Sequence, residues 1–336
     1  MRWLQSIQHH TLLKVASRIG LILIGTLIGI LIAEGAARLI WTEPWYEELV
    51  TEQMESQRYP YIYNSLGLRD REYSSPKPSE TKRILILGDS FTFGMGVGNE
   101  DAIFPEILER QLNELPFTQV SVEVLNGGLP GSMTDDWVSL LEELSPSFDP
   151  DLVLIVFFLR DGTQTRSIHD YFDTIREEIA NQNQLSRLYK YSYIYRLFRD
   201  QMDRMAVHNY YGALFNNSYF GDDEQTLEWK QAQSNLIQIQ NIAEEQSAKV
   251  GLVVFPVLVE LNEQYPFQDI CDLLVSFGHD IDMPTHNLLP AFIGQSGPKL
   301  WVSATDQHPN ELGHAIAAES MFPFVVDLLF ESEDQD

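Results

Sequence analysis

The sequence predicts a doubly wound α/β fold on a parallel five-stranded sheet, and three observations carry that reading. Short uninterrupted apolar runs recur along the chain, helical periodicities stand between them, and 336 residues suit one large α/β domain with appendages. The runs are Ile84-Leu85-Ile86-Leu87, residues 120–125, 152–158 and 250–255, and a weaker one at 283–289. A run without polar alternation, closed by a glycine such as Gly88, is the pattern of a strand buried on both faces.

Between the runs, Phe104, Ile107, Leu108, Leu112 and Leu115 fall at i, i+3, i+4, i+8 and i+11, which is one face of a helix. Val138, Leu140, Leu141 and Leu144 suggest a second helix, residues 226–248 a third, and residues 315–329 a last one. Strands alternating with helices imply right-handed crossovers, so the sheet is parallel and covered on both sides. Ligands of such sheets bind beyond the carboxyl ends of the strands, and chemistry is expected there.

Composition narrows the class further. With 44% apolar residues the chain folds, and with 22 Lys+Arg against 49 Asp+Glu its formal charge is −27, which argues against a nucleic-acid partner. Cys271 is the only cysteine, which excludes an intrachain disulfide, a cysteine-based zinc site and an iron–sulfur cluster. No cofactor and no metal is called for. A cluster of His169, Asp170 and Asp173 is the one metal candidate, and acidic residues on a polar surface are ordinarily solvated.

The N-terminal end is of another kind. Residues 19–33 carry no charge, and a helix over 19–41 is about 34 Å long at ~1.5 Å per residue, enough to cross a hydrocarbon core of ~30 Å. Arg2, Lys14 and Arg18 precede it, so residues 1–18 are expected to stay cytoplasmic and the body to lie outside the cytoplasm. A cleaved signal peptide is the alternative, and it exports the body equally. Glu34 and Arg38 stand one helical turn apart and can pair, while Trp41 and Trp45 suit an interfacial belt. Gly25 and Gly29 form a small-residue pair of the kind that can be incidental or a dimer face.

Residues 42–82 are polar and turn-rich and read as a lead-in or linker, with the domain starting at Arg83 and running to about residue 330 before an acidic tail, 331–336. Residues 167–223 are too long for a crossover helix and are rich in tyrosine and arginine. They read as a largely helical cap insertion whose aromatics serve as core or as a platform for sugar rings.

Two segments carry chemistry. Gly88-Asp89-Ser90 follows the first strand directly, which exposes a serine at the ligand edge beside free backbone N–H groups. Asp306-Gln307-His308-Pro309-Asn310 precedes the last helix, where Asp306 can orient an imidazole that takes the serine proton. Alone, each has a plain reading: Asp89 and Ser90 are common helix caps, and Asp306 or Asn310 can cap the last helix with His308 on the surface.

Together the segments resemble the SGNH/GDSL hydrolase superfamily over most of residues 64–320, and Asn64-Ser65-Leu66-Gly67-Leu68-Arg69-Asp70 resembles the lead-in of its membrane-anchored bacterial members. The resemblance implies a flavodoxin-like sheet, Ser90 as nucleophile, Asp306 and His308 as its partners, and an oxyanion hole from the N–H groups of Ser90 and of Gly131, which lies in Asn126-Gly127-Gly128-Leu129-Pro130-Gly131. Two departures stand out. One residue rather than two separates Asp306 from His308, and Arg160 occupies the third block's asparagine position, in Phe158-Leu159-Arg160-Asp161-Gly162. Arg160 has the donors to replace that amide, to grip an anionic group, or to pair with Asp161 or Asp170 and hold the loop.

The expected activity is serine ester hydrolysis, or acyl transfer through the same acyl-enzyme, on an acylated small molecule or carbohydrate. The rival is a non-catalytic envelope protein that binds glycan or serves polysaccharide export. No G-x-S-x-G elbow is present, which disfavours an α/β-hydrolase. His279 and His286 read as structural.

Overall fold

A computed structural model of the chain describes residues 2–41, 59–116, 119–163, 181, 183, 186–221, 226–303 and 306–330, with backbone alone at 2–16 and 204–211. Trp45, the His169–Asp170–Asp173 cluster, the first part of the expected insertion and the tail 331–336 lie outside the described residues. In chain order the helices are α1 (Arg2–Ile40), α2 (Ser90–Phe93), α3 (Phe104–Asn113), α4 (Thr134–Phe148), α5 (Arg187–Tyr191), α6 (Tyr193–Phe220), α7 (Leu227–Glu245), α8 (Gln268–Asp280), α9 (Leu289–Phe292), α10 (Gly297–Leu300) and α11 (Glu311–Phe330). The strands are β1 (Thr81–Gly88), β2 (Ser121–Gly128), β3 (Leu152–Phe158), β4 (Lys249–Phe255) and β5 (Thr285–Asn287).

The chain divides into two compact units, Met1–Glu47 with Asp170–His208, and Glu48–His169 with Asn209–Asp336. The second holds the sheet, ordered β2-β1-β3-β4-β5 with every neighbouring pair parallel, which is the expected doubly wound arrangement. All seven residues of β3 are buried, as an uninterrupted apolar run requires when helices cover both faces. Helix α3 packs on α11 and α4 on α7, and α8 lies along β4 and β5. Side chains such as Leu85, Ile155 and Val253 are fully buried, each removal from water being worth about 1.5–3 kcal/mol. Helix α11 is long and apolar enough to cross a membrane, but Ala317, Met321, Val325 and Leu329 are buried in this core.

The domain begins earlier than Arg83. Asn64 Oδ1 accepts from the N–H groups of Leu66 and Leu68, Leu68 enters the core, and Asp70 Oδ2 accepts from Asn126 N at 2.7 Å on β2. Residues 64–70 are therefore packed structure. Their burial rests on polar groups that no apolar periodicity reveals.

In the first unit, the part of α1 from Ser17 to Ile40 is long and apolar enough to cross a membrane and exposes side chains such as Leu23 and Leu31. The described part of the expected insertion is helical, as α5 and α6. The far end of α6 belongs to the second unit, where Phe215 meets Phe267 edge-on and Tyr219 is buried against Trp229. These two rings are core.

Helix α3 has no side-chain cap. The orphan N–H of Phe104 at its start donates to Nδ1 of His314 on α11 at 3.2 Å. Burial lowers the His314 pKa to about 3, with the charges of Arg69 and His308 acting the same way. The unfolded chain takes a proton on this residue near pH 6.5 and the folded chain only near 3, so its contribution to stability is present above pH 6.5 and is lost as the pH falls. Asp70 and Glu106 act in the opposite sense, since burial raises their carboxyl pKa to about 6 and about 7. Their contribution is lost as the pH rises through those values. Replacement of His314 by Asn isolates the first effect: urea unfolding of the detergent-solubilised full chain should show the variant gaining on the wild type by roughly 1.4 kcal/mol per pH unit from 6.5 down to 4. A pH-independent difference would show that the ring is not held neutral.

Candidate active site

The site lies at the carboxyl edge of the sheet, where β1 and β3 run side by side and their connections leave in opposite directions, the switch point of this strand order. Ser90 opens α2 directly after β1. Asp89 caps that turn, its Oδ1 accepting from Phe91 N at 2.8 Å. Ser90 Oγ lies 2.8 Å from His308 Nε2, and His308 Nδ1 lies 2.5 Å from Asp306 Oδ1. The three residues read from two distant segments thus meet in one relay.

The segment ahead of α11 divides its polar duties. Asn310 is the cap, its Oδ1 accepting from Leu312 N at 3.0 Å and Gly313 N at 3.1 Å, while its Nδ2 donates to the carbonyls of Lys299 and Trp301. Asp306 is left to the histidine. The Phe91 ring lies 5.4 Å from the imidazole and stacks on Phe158 at 4.0 Å, giving the imidazole an aromatic floor.

Gly131 sits at an exposed turn with φ of 77°, a conformation that glycine takes without steric cost. No acceptor among the described residues takes the N–H of Gly131 or of Ser90. Gly128, just before this turn, is required by close approach, since a Cβ there would lie 2.2 Å from Phe93 N and 2.6 Å from the Thr92 carbonyl carbon. The end of β2 and α2 are in backbone contact.

Arg160 binds the three strand-end connections together. Its Nη2 donates to Asp89 Oδ2 at 2.8 Å, to the Ser132 carbonyl at 3.1 Å and to Asp161 Oδ1 at 3.1 Å. Asp161 Oδ2 accepts in turn from Phe158 N at 2.8 Å. The group is buried. Burial and the charge of Asp89 raise the Asp161 carboxyl well above its ordinary range. Burial alone would lower the guanidinium pKa, but Asp89 and Asp161 outweigh it and hold it above its usual value. Arg160 is thus paired with Asp161, as one sequence reading has it, and with Asp89, the residue next to the serine. Asp170 is outside the described residues.

Arg69 plays a part that sequence reasoning missed. Nη1 donates to the carbonyls of Phe93 at 3.1 Å and Gly94 at 2.6 Å, and Nη2 to that of Val97 at 2.6 Å, so the lead-in satisfies the carbonyls left open where α2 ends. Its place inside the quoted lead-in motif was the available signal. Ser132 was also missed: its Oγ accepts from Trp137 Nε1 and donates to the Gly88 carbonyl at 3.2 Å. His286 bonds Ser320 and stacks on Phe324, and His279 is exposed beside Asp280, both away from the relay.

Fold and strand-end residues together are those of an ester hydrolase of the SGNH type. The profile of the GDSL-like lipase/acylhydrolase family matches residues 86–316, and the chain belongs to that family. Solved structures similar in fold include TesA, 15% identical with a TM-score of 0.46, covering 74% of this chain and 100% of that one. A catalytic mutant of Axe2, an acetylxylan esterase from Geobacillus stearothermophilus, is 16% identical with a TM-score of 0.44, covering 72% and 93%. The psychrotrophic esterase EstA from Pseudoalteromonas sp., inhibited by monoethylphosphonate, is 15% identical with a TM-score of 0.41, covering 73% and 96%. No curated protein sequence matches the chain.

Because Arg160 is the only cation bonded to Asp89 and Asp161 among the described residues, its removal strands two buried carboxylates. Arg160→Met is expected to lower the unfolding free energy by about 3–5 kcal/mol, and adding Asp161→Asn should recover part of the loss. Chemical denaturation of the full chain checks this. A loss below about 1 kcal/mol would mark the pair as solvated.

Proposed function

We propose that this chain is a serine ester hydrolase working through an acyl-enzyme on Ser90. The observation that carries the reading is the relay from Ser90 Oγ through His308 to Asp306. Ser90 Oγ attacks the ester carbonyl carbon as its proton passes to His308 Nε2, and Asp306 stabilises the imidazolium that forms. The N–H groups of Ser90 and Gly131 receive the oxyanion. The tetrahedral intermediate collapses with departure of the alcohol, which takes the proton from His308. Water then attacks the acyl-Ser90 carbonyl in the same manner and releases the acid. A sugar hydroxyl in place of water gives acyl transfer with the same balance of atoms.

Arg160 acts in this reading on the positions of both oxyanion donors, through Asp89 beside Ser90 and the Ser132 carbonyl beside Gly131. O-acyl groups of carbohydrate are the proposed substrate class, on the resemblance of the lead-in and the strand-end blocks to anchored bacterial members. The α1 segment serves as a retained anchor, with Arg2, Lys14 and Arg18 keeping the short N-terminus cytoplasmic and the hydrolase domain on the other side.

The full chain in detergent should cleave an aryl acetate, and a fluorophosphonate should label it at Ser90. Ser90→Ala should lose both, and Asp306→Asn should retain the fold while losing on the order of 10⁴ in kcat. Equal turnover by wild type and Ser90→Ala removes the enzyme reading and leaves the glycan-binding one. Added saccharide that becomes acylated at the expense of free acid would identify transfer.

A further inference from the structure

The first unit joins α1 to the start of α6 through polar contacts. The Glu34 carboxylate accepts from Tyr193 N at 2.7 Å, Ser192 Oγ at 2.9 Å and Ile194 N at 3.3 Å, so a side chain from α1 takes the open donors of the first turn of α6. One turn further along α1, Arg38 pairs with Glu34 at 3.5 Å and lies 4.9 Å above the Tyr193 ring. Trp41 meets Tyr189 and Tyr193 edge-on at 6.4 and 6.5 Å. The helix pair α5 and α6 is therefore fixed to the last two turns of α1.

Those turns fall where the apolar span ends. From Ile19 to Ala33 the helix runs without a charge for about 22 Å at ~1.5 Å per residue, most of a hydrocarbon thickness of ~30 Å, and the next charges are Glu34 and Arg38. At that level, α5 and α6 turn an apolar stripe outward. Leu188, Tyr191, Ile194, Phe198 and Met202 are 62%, 68%, 36%, 61% and 44% exposed, and the last three fall at i, i+4 and i+8. Turned away from the stripe, Asp203 is buried and bonded to Asn183, and Arg196 covers Tyr193 and donates to the Tyr189 carbonyl. At its α5 end the stripe is flanked by Arg187 and Lys190, and residues 187–199 contain no carboxylate; further along, Arg199 is paired with Asp203 at 3.1 Å and Asp200 follows it.

We propose that this stripe is a second membrane contact, seated among the head groups of the bilayer that α1 crosses, with its basic α5 end on anionic lipid. The proposal rests on the reading of α1 as a retained anchor. Each apolar side chain withdrawn fully from water contributes about 1.5–3 kcal/mol, and each basic residue near an anionic surface about 1 kcal/mol. A second copy of the chain would bring Arg187 and Lys190 against their own counterparts, whereas anionic lipid complements them.

The test uses the full chain in vesicles of phosphatidylcholine and phosphatidylglycerol. Single-site variants Ile28→Cys, Phe198→Cys and Gln246→Cys carry an environment-sensitive nitrobenzoxadiazole label, and nitroxide lipids quench either near the head group or near the chain ends. Cys271 is fully buried and burial raises its thiol pKa to about 12, so it stays unlabelled. The proposal expects deep quenching at Ile28, only background quenching at the exposed turn residue Gln246, and head-group quenching at Phe198 at least about two-fold above that background. If Ile28 is quenched and Phe198 behaves as Gln246 does, the stripe faces water: the proposal fails and the anchor stands. If the Phe198 label is shifted to the blue without quenching, protein covers it, and the proposal fails in favour of self-association. If Ile28 is not quenched, the anchor reading falls and takes the proposal with it.

Discussion

Arg160 brings a full positive charge to the place where β1, β2 and β3 all end, and the connections there converge on its Nη2. One carboxylate comes from the residue before Ser90, one from the turn after β3, and one carbonyl from the turn after β2. A buried guanidinium without these acceptors would carry a desolvation cost of several kcal/mol. With them, any movement of one connection leaves a charge or a donor unmet in the others. The cost of burying the ion is thereby turned into a geometric constraint on Ser90 and on the turn that bears Gly131. An asparagine at this position has neither the charge to hold Asp89 nor the reach to span three connections.

The same constraint reaches backward into the lead-in. Arg69 closes the carbonyls at the end of α2, and Asp70 takes an N–H of β2, so residues ahead of the first strand fix both the far end of the serine's turn and the strand next to it. This explains how a four-residue helix, too short to be stable through its own hydrogen bonds, holds a defined geometry: its start is capped by Asp89, its end by Arg69, and its middle by the stacked rings of Phe91 and Phe158.

The fold was legible where burial follows apolar periodicity. The runs at 84–87, 152–158 and 250–255 are central or near-central strands covered on both faces, and the pattern at Phe104, Ile107, Leu108 and Leu112 is α3. β5 is only three residues long at the sheet edge, so its run was weak. Helix α8 was not singled out although Ile270, Leu274 and Phe277 face inward at i, i+4 and i+7. The packing of residues 64–70 was not legible because Arg69 and Asp70 are buried through hydrogen bonds, which composition registers as surface. Ser90, His308 and Asp306 could be named from their segments, and what sequence could not supply was the division of labour around them. The partner of Arg160 closest to the chemistry, Asp89, lies 71 positions away and is settled only by the meeting of β1 and β3.

That division of labour also accounts for the short spacing between Asp306 and His308. With a single intervening residue, Asp306 Oδ1 accepts from the backbone N–H of His308 at 3.0 Å as well as from its Nδ1 at 2.5 Å, an Asx-type turn closed twice by one oxygen. The backbone bond orients the carboxylate, and the carboxylate orients the ring, so Nε2 is the nitrogen left to face Ser90. Such a turn needs its carboxylate free of helix-capping duty, and Asn310 takes that duty two residues beyond the histidine. It also needs the loop base fixed, which the pairing of Trp301 with Pro309 and the bond from Val302 N to the His308 carbonyl at 2.9 Å provide. With this compact spacing, local backbone geometry shares in orienting the carboxylate, and through it the ring that faces Ser90.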